Sequence, residues 1–333
     1  MNLVTGGAGF VGGRLVRVLK ARGEAVRVLD VAEPKAALGE GDEFVRASIE
    51  DARAVEEAVK GAAAVFHLAA NAFLWAKDKT VFDRVNLGGT RNIVEAIAAQ
   101  PAGARPRLVH VSSLTTLIGG PAGRPVVTID ETAQRAEGDM LGPYPLAKWR
   151  AERLVVDAAQ KGRIDAVAAS PTMPLGAEDW ALTGPTRLLL DFLNGDTPAY
   201  LECALNFIDV DALAGALIAA RDRGRPGERY LLAGHNMWMS EFLAALTETT
   251  GAQTPRGRVP YPVALAFGAI DEALADLRGK PPKAPLTGVR LSGRRVFFDN
   301  GKARAELGLA PPPFADTLRA AAGWLQSAGF VRS

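Results

Sequence analysis

Apolar and polar positions follow two rhythms in the first half of this chain. Short apolar runs predict strands at Leu3–Val4, Val26–Leu29, Ala64–Leu68, Arg107–Ser112 and Asp165–Ser170. Between them apolar residues recur at helical spacing, which predicts helices near 12–22, 51–60, 83–99 and 144–161. Alternation of this kind implies a parallel sheet covered on both faces. Two segments break the rhythm. Gly119–Pro143 is rich in Gly, Pro and charge and reads as a long loop, a feature that is often functional in compact α/β domains. Leu175–Leu205 holds Trp180, a short helix at Thr186–Leu193 and a Gly-Asp-Thr-Pro turn. Asn206–Val210 and Arg229–Ala233 look like returns to the sheet. From about residue 236 the pattern is helical, with proline-rich connections at 260–262 and 281–285. The predicted fold class is α/β, a doubly wound parallel sheet with a smaller, interleaved, mainly helical lobe. The core takes residues 1–174 plus 203–235, and the lobe takes 175–202 plus 236–333. No internal repeat is present.

The sharpest local signal lies at the start. Leu3 and Val4 end a buried strand. Thr5-Gly6-Gly7-Ala8-Gly9-Phe10-Val11-Gly12 then sets glycines at 6, 9 and 12, and Leu15, Val16, Val18 and Leu19 continue as an apolar helix. Strand, glycine turn and helix together form a dinucleotide fingerprint. Gly6 permits the turn, Gly9 lets backbone approach a pyrophosphate, and Gly12 lets helix and strand pack closely. The helix N-terminus offers free N–H groups to the phosphates. The second strand ends in Asp30, 18 residues beyond Gly12. A carboxylate there accepts hydrogen bonds from an adenosine ribose and repels a 2′-phosphate. The first base after it is Lys35, so NAD(H) is favoured over NADP(H).

Composition narrows the class. The 333 residues are 48% hydrophobic and 23% charged, with a net charge of +2 and acids and bases mixed throughout. No basic run or aromatic-basic interleaving suggests nucleic acid. The single Cys203 excludes an internal disulfide and fits a reducing, cytoplasmic setting. His67, His110 and His235 lack metal-ligand spacing, so no metal site is expected. The strand beginning at residue 2 is read as leaving no signal peptide. No apolar run reaches the ~20 residues needed to span a bilayer.

Tyr144-Pro145-Leu146-Ala147-Lys148 carries the second candidate chemistry. Tyr and Lys four apart on a helix project from one face, and Pro145 is tolerated in the first turn. A cationic Lys148 and a positively charged nicotinamide would favour the tyrosinate and make Tyr144 an acid/base near neutral pH. The bland alternative is a partly exposed helix start. Ser112 and Ser113 end the fourth parallel strand, where open α/β sheets place their active sites. Ser113 there would donate to a substrate carbonyl, or the serines only satisfy the strand end. Asn86 begins or caps the preceding helix.

At this point the chain resembles the extended short-chain dehydrogenase/reductases, the NAD-dependent epimerase/dehydratase family. TGGAGFVG at 5–12, Asp30, HLAA at 67–70, VNLGGT at 85–90, VSS at 111–113 and YPLAK at 144–148 carry the resemblance. It implies a Rossmann core, an NAD(P)-dependent oxidoreductase, and a catalytic Ser113, Tyr144 and Lys148 with Asn86 as fourth member. It implies cofactor contacts at Gly6, Gly9, Phe10, Val11, Gly12, Asp30, Leu68, Ala69, Ala70, Lys148, Pro171 and Met173. Ser48 and Ile49 are expected to touch the cofactor as well, but they occupy the place where the family often has Asp and an aliphatic residue against adenine, so the adenine contact there is expected to be weaker or different. Asp191-Phe192-Leu193-Asn194-Gly195, Pro198-Ala199-Tyr200 and Gly227-Glu228-Arg229-Tyr230 resemble the branch of hopanoid-associated sugar epimerases, dihydroflavonol-reductase-like proteins and 3β-hydroxysteroid dehydrogenases. The chain is also similar to bacterial ceramide reductases.

Two substrate classes follow. A sugar nucleotide needs a diphosphate clamp, for which Arg187, Arg256, Arg258, Arg294 and Arg295 are candidates. Yet the residues expected around the site are bulky and apolar: Phe73, Leu74, Trp75, Met140, Met173, Trp180, Leu182 and Trp238. Val259–Ile270 is a run without charge. It reads as a buried core helix, or as a segment lying on a membrane or over a hydrophobic pocket. The leading expectation is a ketoreductase or alcohol dehydrogenase for a lipid-like substrate, with Trp75, Met140, Trp180 and Trp238 lining its pocket. The alternatives are a sugar or sugar-nucleotide epimerase/dehydratase and a noncatalytic dinucleotide-binding protein. The expected partners are a small-molecule or lipid substrate, with a peripheral membrane contact and a homodimer as further possibilities.

Overall fold

The structure, a computed structural model, describes all residues except Ala36, Arg124 and Ser333. The first half of the chain forms β1 (Asn2–Thr5), α1 (Phe10–Ala21), β2 (Val26–Asp30), β3 (Glu43–Arg46), α2 (Ala52–Val59), β4 (Ala64–His67), α3 (Gly89–Ala98), β5 (Arg107–Val111), β6 (Val127–Ile129) and α4 (Pro143–Gln160). The second half forms β7 (Ala166–Pro171), β8 (Met173–Leu175), α5 (Gly184–Leu193), β9 (Ala199–Tyr200), β10 (Ala204–Asp209), α6 (Val210–Arg223), β11 (Arg229–Leu232), β12 (His235–Trp238), α7 (Met239–Thr250), β13 (Gly257–Arg258), α8 (Tyr261–Arg278), α9 (Leu286–Ser292), β14 (Val296–Phe298) and α10 (Phe314–Ser327).

Seven parallel strands make the central sheet in the order β3-β2-β1-β4-β5-β7-β11. β1 and β4 are buried at every position, as strands covered by helices on both faces must be. α1 buries Gly12, Leu15, Val16 and Leu19, the i, i+3, i+4, i+7 face that its sequence prescribes. With α6 it covers one face of the sheet, and α2 and α3 pack on the other. The chain runs from β1 outward to β2 and β3, then crosses back to β4. That reversal opens a crevice beyond the carboxyl ends of β1 and β4, where doubly wound sheets bind nucleotides.

A smaller lobe holds the sheet β8-β10-β12 and the pair β9-β13, while β6-β14 ties the middle of the chain to its C-terminal part. Its core joins α5, α7 and α10 through Leu189, Phe192, Phe242 and Leu318.

Several expectations need correction. β3 is an edge strand whose Glu43 and Arg46 are exposed, so its two central apolar residues gave no readable run. Ser112 therefore follows the fifth parallel strand, not the fourth. The long loop at Gly119–Pro143 contributes β6, paired with β14 across more than half the chain. Beyond residue 236 two short strands, β13 and β14, interrupt the helices. Ala303, Leu307 and Leu309, expected in the lobe, are buried in the main core. The Val259–Ile270 run is no core helix: α8 buries only Gly268 and Ala275.

Candidate active site

The glycine turn is shaped by close approach. Gly6 has φ +74°, and a Cβ there would stand 2.7 Å from the Ala69 nitrogen. A Cβ on Gly12 would overlap the Gly6 carbonyl oxygen. Gly9 precedes α1 without any side-chain cap, and no acid occupies the first turn. The first N–H groups of α1 are thus left to an anion, with the helix dipole behind them. Asp30 is held beside the turn: its Oδ2 accepts from Ala8 N at 2.9 Å and its Oδ1 from Ala32 N at 3.1 Å. These bonds fix the carboxylate at the rim of the crevice and leave each oxygen a lone pair for a ribose. Residues and backbone here fit a dinucleotide.

α4 and the segment after β5 bring three polar side chains together. Tyr144 and Lys148 lie one turn apart on α4, and both are buried. Ser113 follows β5 at the start of a 3₁₀ turn. Its oxygen accepts from Thr115 N at 3.2 Å and Thr115 Oγ1 at 3.0 Å, so the hydroxyl is oriented as well as buried. Burial raises the Tyr144 phenol above its ordinary pKa, and the hydrogen bond from Ser113 opposes that rise. Lys148 Nζ donates to the Val111 carbonyl at 2.6 Å. Burial pulls its ammonium down to about 8, against the pull of the Glu152 carboxylate. The expected lowering of the tyrosine by the lysine is therefore not what the protein alone produces. Desolvation outweighs the Ser113 hydrogen bond, and the phenol stays protonated. A buried phenol that holds its proton is an acid poised to give it to a developing alkoxide.

Asn86 is not a helix cap. It sits within a π-helical turn, Phe82–Gly88, and is 1% exposed. Its Oδ1 accepts from Asn71 N at 2.7 Å and its Nδ2 donates to Asn71 O at 3.1 Å. The side chain thus straps the loop after β4. A single wide turn of this kind is often found at functional sites because it redirects one side chain.

Beneath these groups lie residues that the sequence reading did not single out as part of the site. Glu152, one turn beyond Lys148, is fully buried; its Oε1 pairs with Arg229 at 2.5 Å and its Oε2 accepts from Thr116 and Ser170 at 3.2 Å. The i, i+4, i+8 series Tyr144, Lys148, Glu152 was readable as one helix face. His67 and His110 are register partners on β4 and β5, with ring centroids 5.4 Å apart. His67 is held between Thr5 Oγ1 at 2.8 Å and Thr90 Oγ1 at 3.0 Å. Burial, then the Lys148 charge, lowers His67 to about 3 and moves His110 in the same direction. Both rings are neutral.

Comparison with known proteins agrees with this geometry. The family model described as "NAD dependent epimerase/dehydratase family" matches residues 2–233, from β1 through β11. The chain belongs to that family. Among relatives of this epimerase/dehydratase member, a Synechocystis protein bearing the name of a dihydroflavonol 4-reductase is 34% identical, over 99% of this chain and 96% of its own length. The 4-hydroxy-2-methyl-3-oxo-4-farnesyl-3,4-dihydroquinoline-1-oxide ketoreductase of Stigmatella aurantiaca is 33% identical, over 93% of this chain and 91% of its own. The solved structure of gox2253 superposes with a TM-score of 0.83 at 30% identity, covering 100% of this chain and 99% of that one. The chain is thus an NAD(P)-dependent oxidoreductase of the extended short-chain dehydrogenase/reductase type.

Within this epimerase/dehydratase fold the other expected cofactor residues occupy unequal settings. Leu68 and Ala69 follow β4 directly, and Ala69 N donates to Thr5 Oγ1 at 3.3 Å. Ala70 is half-buried beside them. Phe10 and Val11 open α1. Pro171 ends β7, and Met173 begins β8. Ser48 Oγ accepts from Glu50 N at 3.1 Å, whereas the Ile49 side chain is buried in the core against Gly89. Ile49 therefore offers adenine no apolar face; its side chain is spent on helix packing.

The four residues expected to line one pocket have different neighbours. Trp75 is 9% exposed and donates from Nε1 to Asp276 on α8 at 2.8 Å. Trp180 stands edge-on to Trp324, with the Lys35 ammonium 4.0 Å from its ring centre, and it shares a cleft with Gly9 and Phe10. It therefore belongs to the mouth of the glycine turn. Trp238 packs on Phe297 beneath Arg295. Met140 is half-buried just ahead of α4. The apolar cluster around Tyr144 is made instead by Phe82 and Ala147, with Leu74, Ala76 and Val81 against it.

Proposed function

We propose that this chain is an NAD(H)-dependent ketoreductase acting on a hydrophobic, lipid-like carbonyl compound of the sterol, hopanoid or 3-oxo-sphingolipid type. The observation that carries this reading is the setting of Tyr144: a protonated phenol beside Ser113 in an apolar cluster of Phe82, Ala147 and Leu74. In this reading Ser113 holds the carbonyl oxygen by a hydrogen bond, and Tyr144 gives it the proton. Lys148 and Asn86 orient the cofactor and the loop that bounds the substrate. A nicotinamide dinucleotide held with its pyrophosphate at the glycine turn would supply the hydride when bound. The glycine turn, Asp30, Ser48, Ala69, Ala70, Pro171 and Met173 form its seat, and the fixed Asp30 carboxylate disfavours a 2′-phosphate. The buried Cys203, whose thiol burial pushes up to about 12, suits a reducing compartment.

Two of the five candidate clamp arginines are engaged by neighbouring acids. Arg187 pairs with Asp191 at 3.1 Å and Arg258 with Glu202 at 3.1 Å, so neither guanidinium is unclaimed. The names of the relatives, a flavonol-type reductase and a farnesyl-bearing ketoreductase, support a hydrophobic ketone.

The test is stoichiometric. Purified enzyme should consume NADH in proportion to alcohol formed from long-chain ketones. Affinity should grow with chain length, by at most about 0.8 kcal/mol per buried CH₂, until the chain leaves the site. NADH should bind more tightly than NADPH. Interconversion of a nucleotide sugar without net absorbance change at 340 nm, with no turnover of any lipid ketone, would replace the reading with an epimerase. Tighter NADPH binding would reverse the cofactor assignment.

A further inference from the structure

α8 is turned inside out for a surface helix. Val263, Phe267, Ile270, Leu274 and Leu277 are 57, 54, 61, 38 and 83% exposed. They recur every three or four residues, so they form one continuous stripe along the helix. The buried residues Gly268 and Ala275 lie on the opposite side. A helix on a globular surface normally shows its polar face to water, and five large apolar groups in a row on one helix mark an interaction surface.

The charges around the stripe are sorted. Every acid of α8 is engaged inward: Asp271 accepts from Ala284 N at 2.9 Å, Glu272 from Leu286 N at 2.8 Å, and Asp276 from Trp75 Nε1 and the Lys79 ammonium. At the C-terminal end Arg278, Lys280 and Lys283 are exposed. Among the described residues none of the three forms an ion pair. The helix thus presents an apolar stripe bordered by free cations, the pattern of helices that lie in the interface of an anionic bilayer.

The stripe also adjoins the reaction site. Trp75 ties its loop to α8 through Asp276, and the preceding Leu74 packs in the cluster with Phe82 and Tyr144. Phe73, the next residue back, is 55% exposed. One tripeptide therefore joins the exposed helix to the apolar wall of the site.

We propose that α8 is a membrane-docking helix, which seats its apolar stripe in an anionic lipid surface and presents the neighbouring cleft to bilayer-dissolved substrate. The delivery role rests on the lipid-substrate reading; the docking does not.

Flotation of the full chain, without cofactor or substrate, tests this directly. Vesicles of phosphatidylcholine and phosphatidylglycerol at three to one are compared with pure phosphatidylcholine. The protein should float with the anionic vesicles, and the double variant Phe267→Glu/Leu274→Glu should reduce the bound fraction at least tenfold. Lys280→Glu/Lys283→Glu should remove the preference for anionic vesicles. Far-ultraviolet circular dichroism and NADH affinity should match the parent in each variant. Absence of binding to either vesicle, or binding unchanged by the double variant, overturns the proposal. So does a dimer in light scattering that Phe267→Glu converts to monomer without any vesicle binding, since a second copy then covers the stripe. Vesicle binding with no turnover of lipid ketones leaves the docking standing and removes the substrate reading.

Discussion

At the residue scale the chemistry depends on burial more than on charge. Tyr144, Lys148 and Glu152 lie on one face of α4, yet the protonation of Tyr144 and Lys148 follows from what covers them. Tyr144→Phe should retain NADH binding while turnover falls by about 10²–10⁴, because only the transferable proton is lost. Lys148→Ala should weaken both. Near-normal turnover of the true substrate by Tyr144→Phe would dismiss the proton assignment. Glu152 offers a finer test. Its carboxylate raises Lys148 while burial lowers it to about 8. Activity that needs the charged lysine should decline as pH rises through about 8. Glu152→Gln keeps an acceptor for Thr116 and Ser170 but removes the charge, so the alkaline limb of kcat/KM should move to lower pH. An unmoved limb would mean that Lys148 does not set it. The Tyr-x-x-x-Lys spacing was readable from the chain; the depth of its burial was not, since that depends on Phe82, Leu74 and Val111 from distant segments.

At the element scale the glycine turn is the part most fully specified by local sequence. Gly6 needs a left-handed φ, and Gly12 needs room against the Gly6 carbonyl. Gly12→Ala should therefore lower the melting temperature and weaken NADH binding by more than tenfold in calorimetry. Gly13→Ala is the control: its Cβ would stand 3.5 Å from the Gly7 oxygen, an ordinary contact. In that helix it should be neutral or stabilise by up to about 1 kcal/mol. NADH affinity unchanged in Gly12→Ala would show that the turn does not seat the cofactor. Elements read from apolar runs were recovered where the run was long, as in β5 and β7. β3, β6 and β14 escaped because three or four residues carry no readable periodicity, and in β3 and β6 half or more of them are exposed. Their pairing is decided by neighbours, and β6 finds β14 far along the chain. Asn86 was visible as a candidate, but its role as a strap required the π-helical turn that tertiary packing imposes.

At the scale of the whole molecule, stability should depend on pH through the buried histidines. His67 has a folded value of about 3 against an ordinary 6.5. The unfolded chain binds the proton more readily, so this contribution is complete above about pH 6.5 and is lost as pH falls toward 3. A shift of that size corresponds to on the order of a few kcal/mol, and His110 acts in the same direction. His67→Gln, which can still bond Thr5 and Thr90, should flatten the fall in urea midpoint between pH 6.5 and 4. An equally steep fall in the variant would place the acid sensitivity elsewhere. Among the described residues no helix is long and apolar enough to cross a membrane, and the apolar stripe of α8 instead lies on the outside. Sequence alone determined the doubly wound sheet, the glycine turn with Asp30, and the Ser113–Tyr144–Lys148 set. The sheet and the turn rest on short-range spacing, the apolar period and φ at one glycine, and Tyr144 and Lys148 on i, i+4 geometry; Ser113 joined them through its strand-end position and the family resemblance. The tertiary structure decided what the same residues face. It parted Trp75, Met140, Trp180 and Trp238 among different neighbours, committed Ile49 to the core, kept the Tyr144 proton by desolvation, and turned the apolar side of α8 outward. Which face a helix buries depends on the partners available to it, and those come from segments that no local pattern brings together.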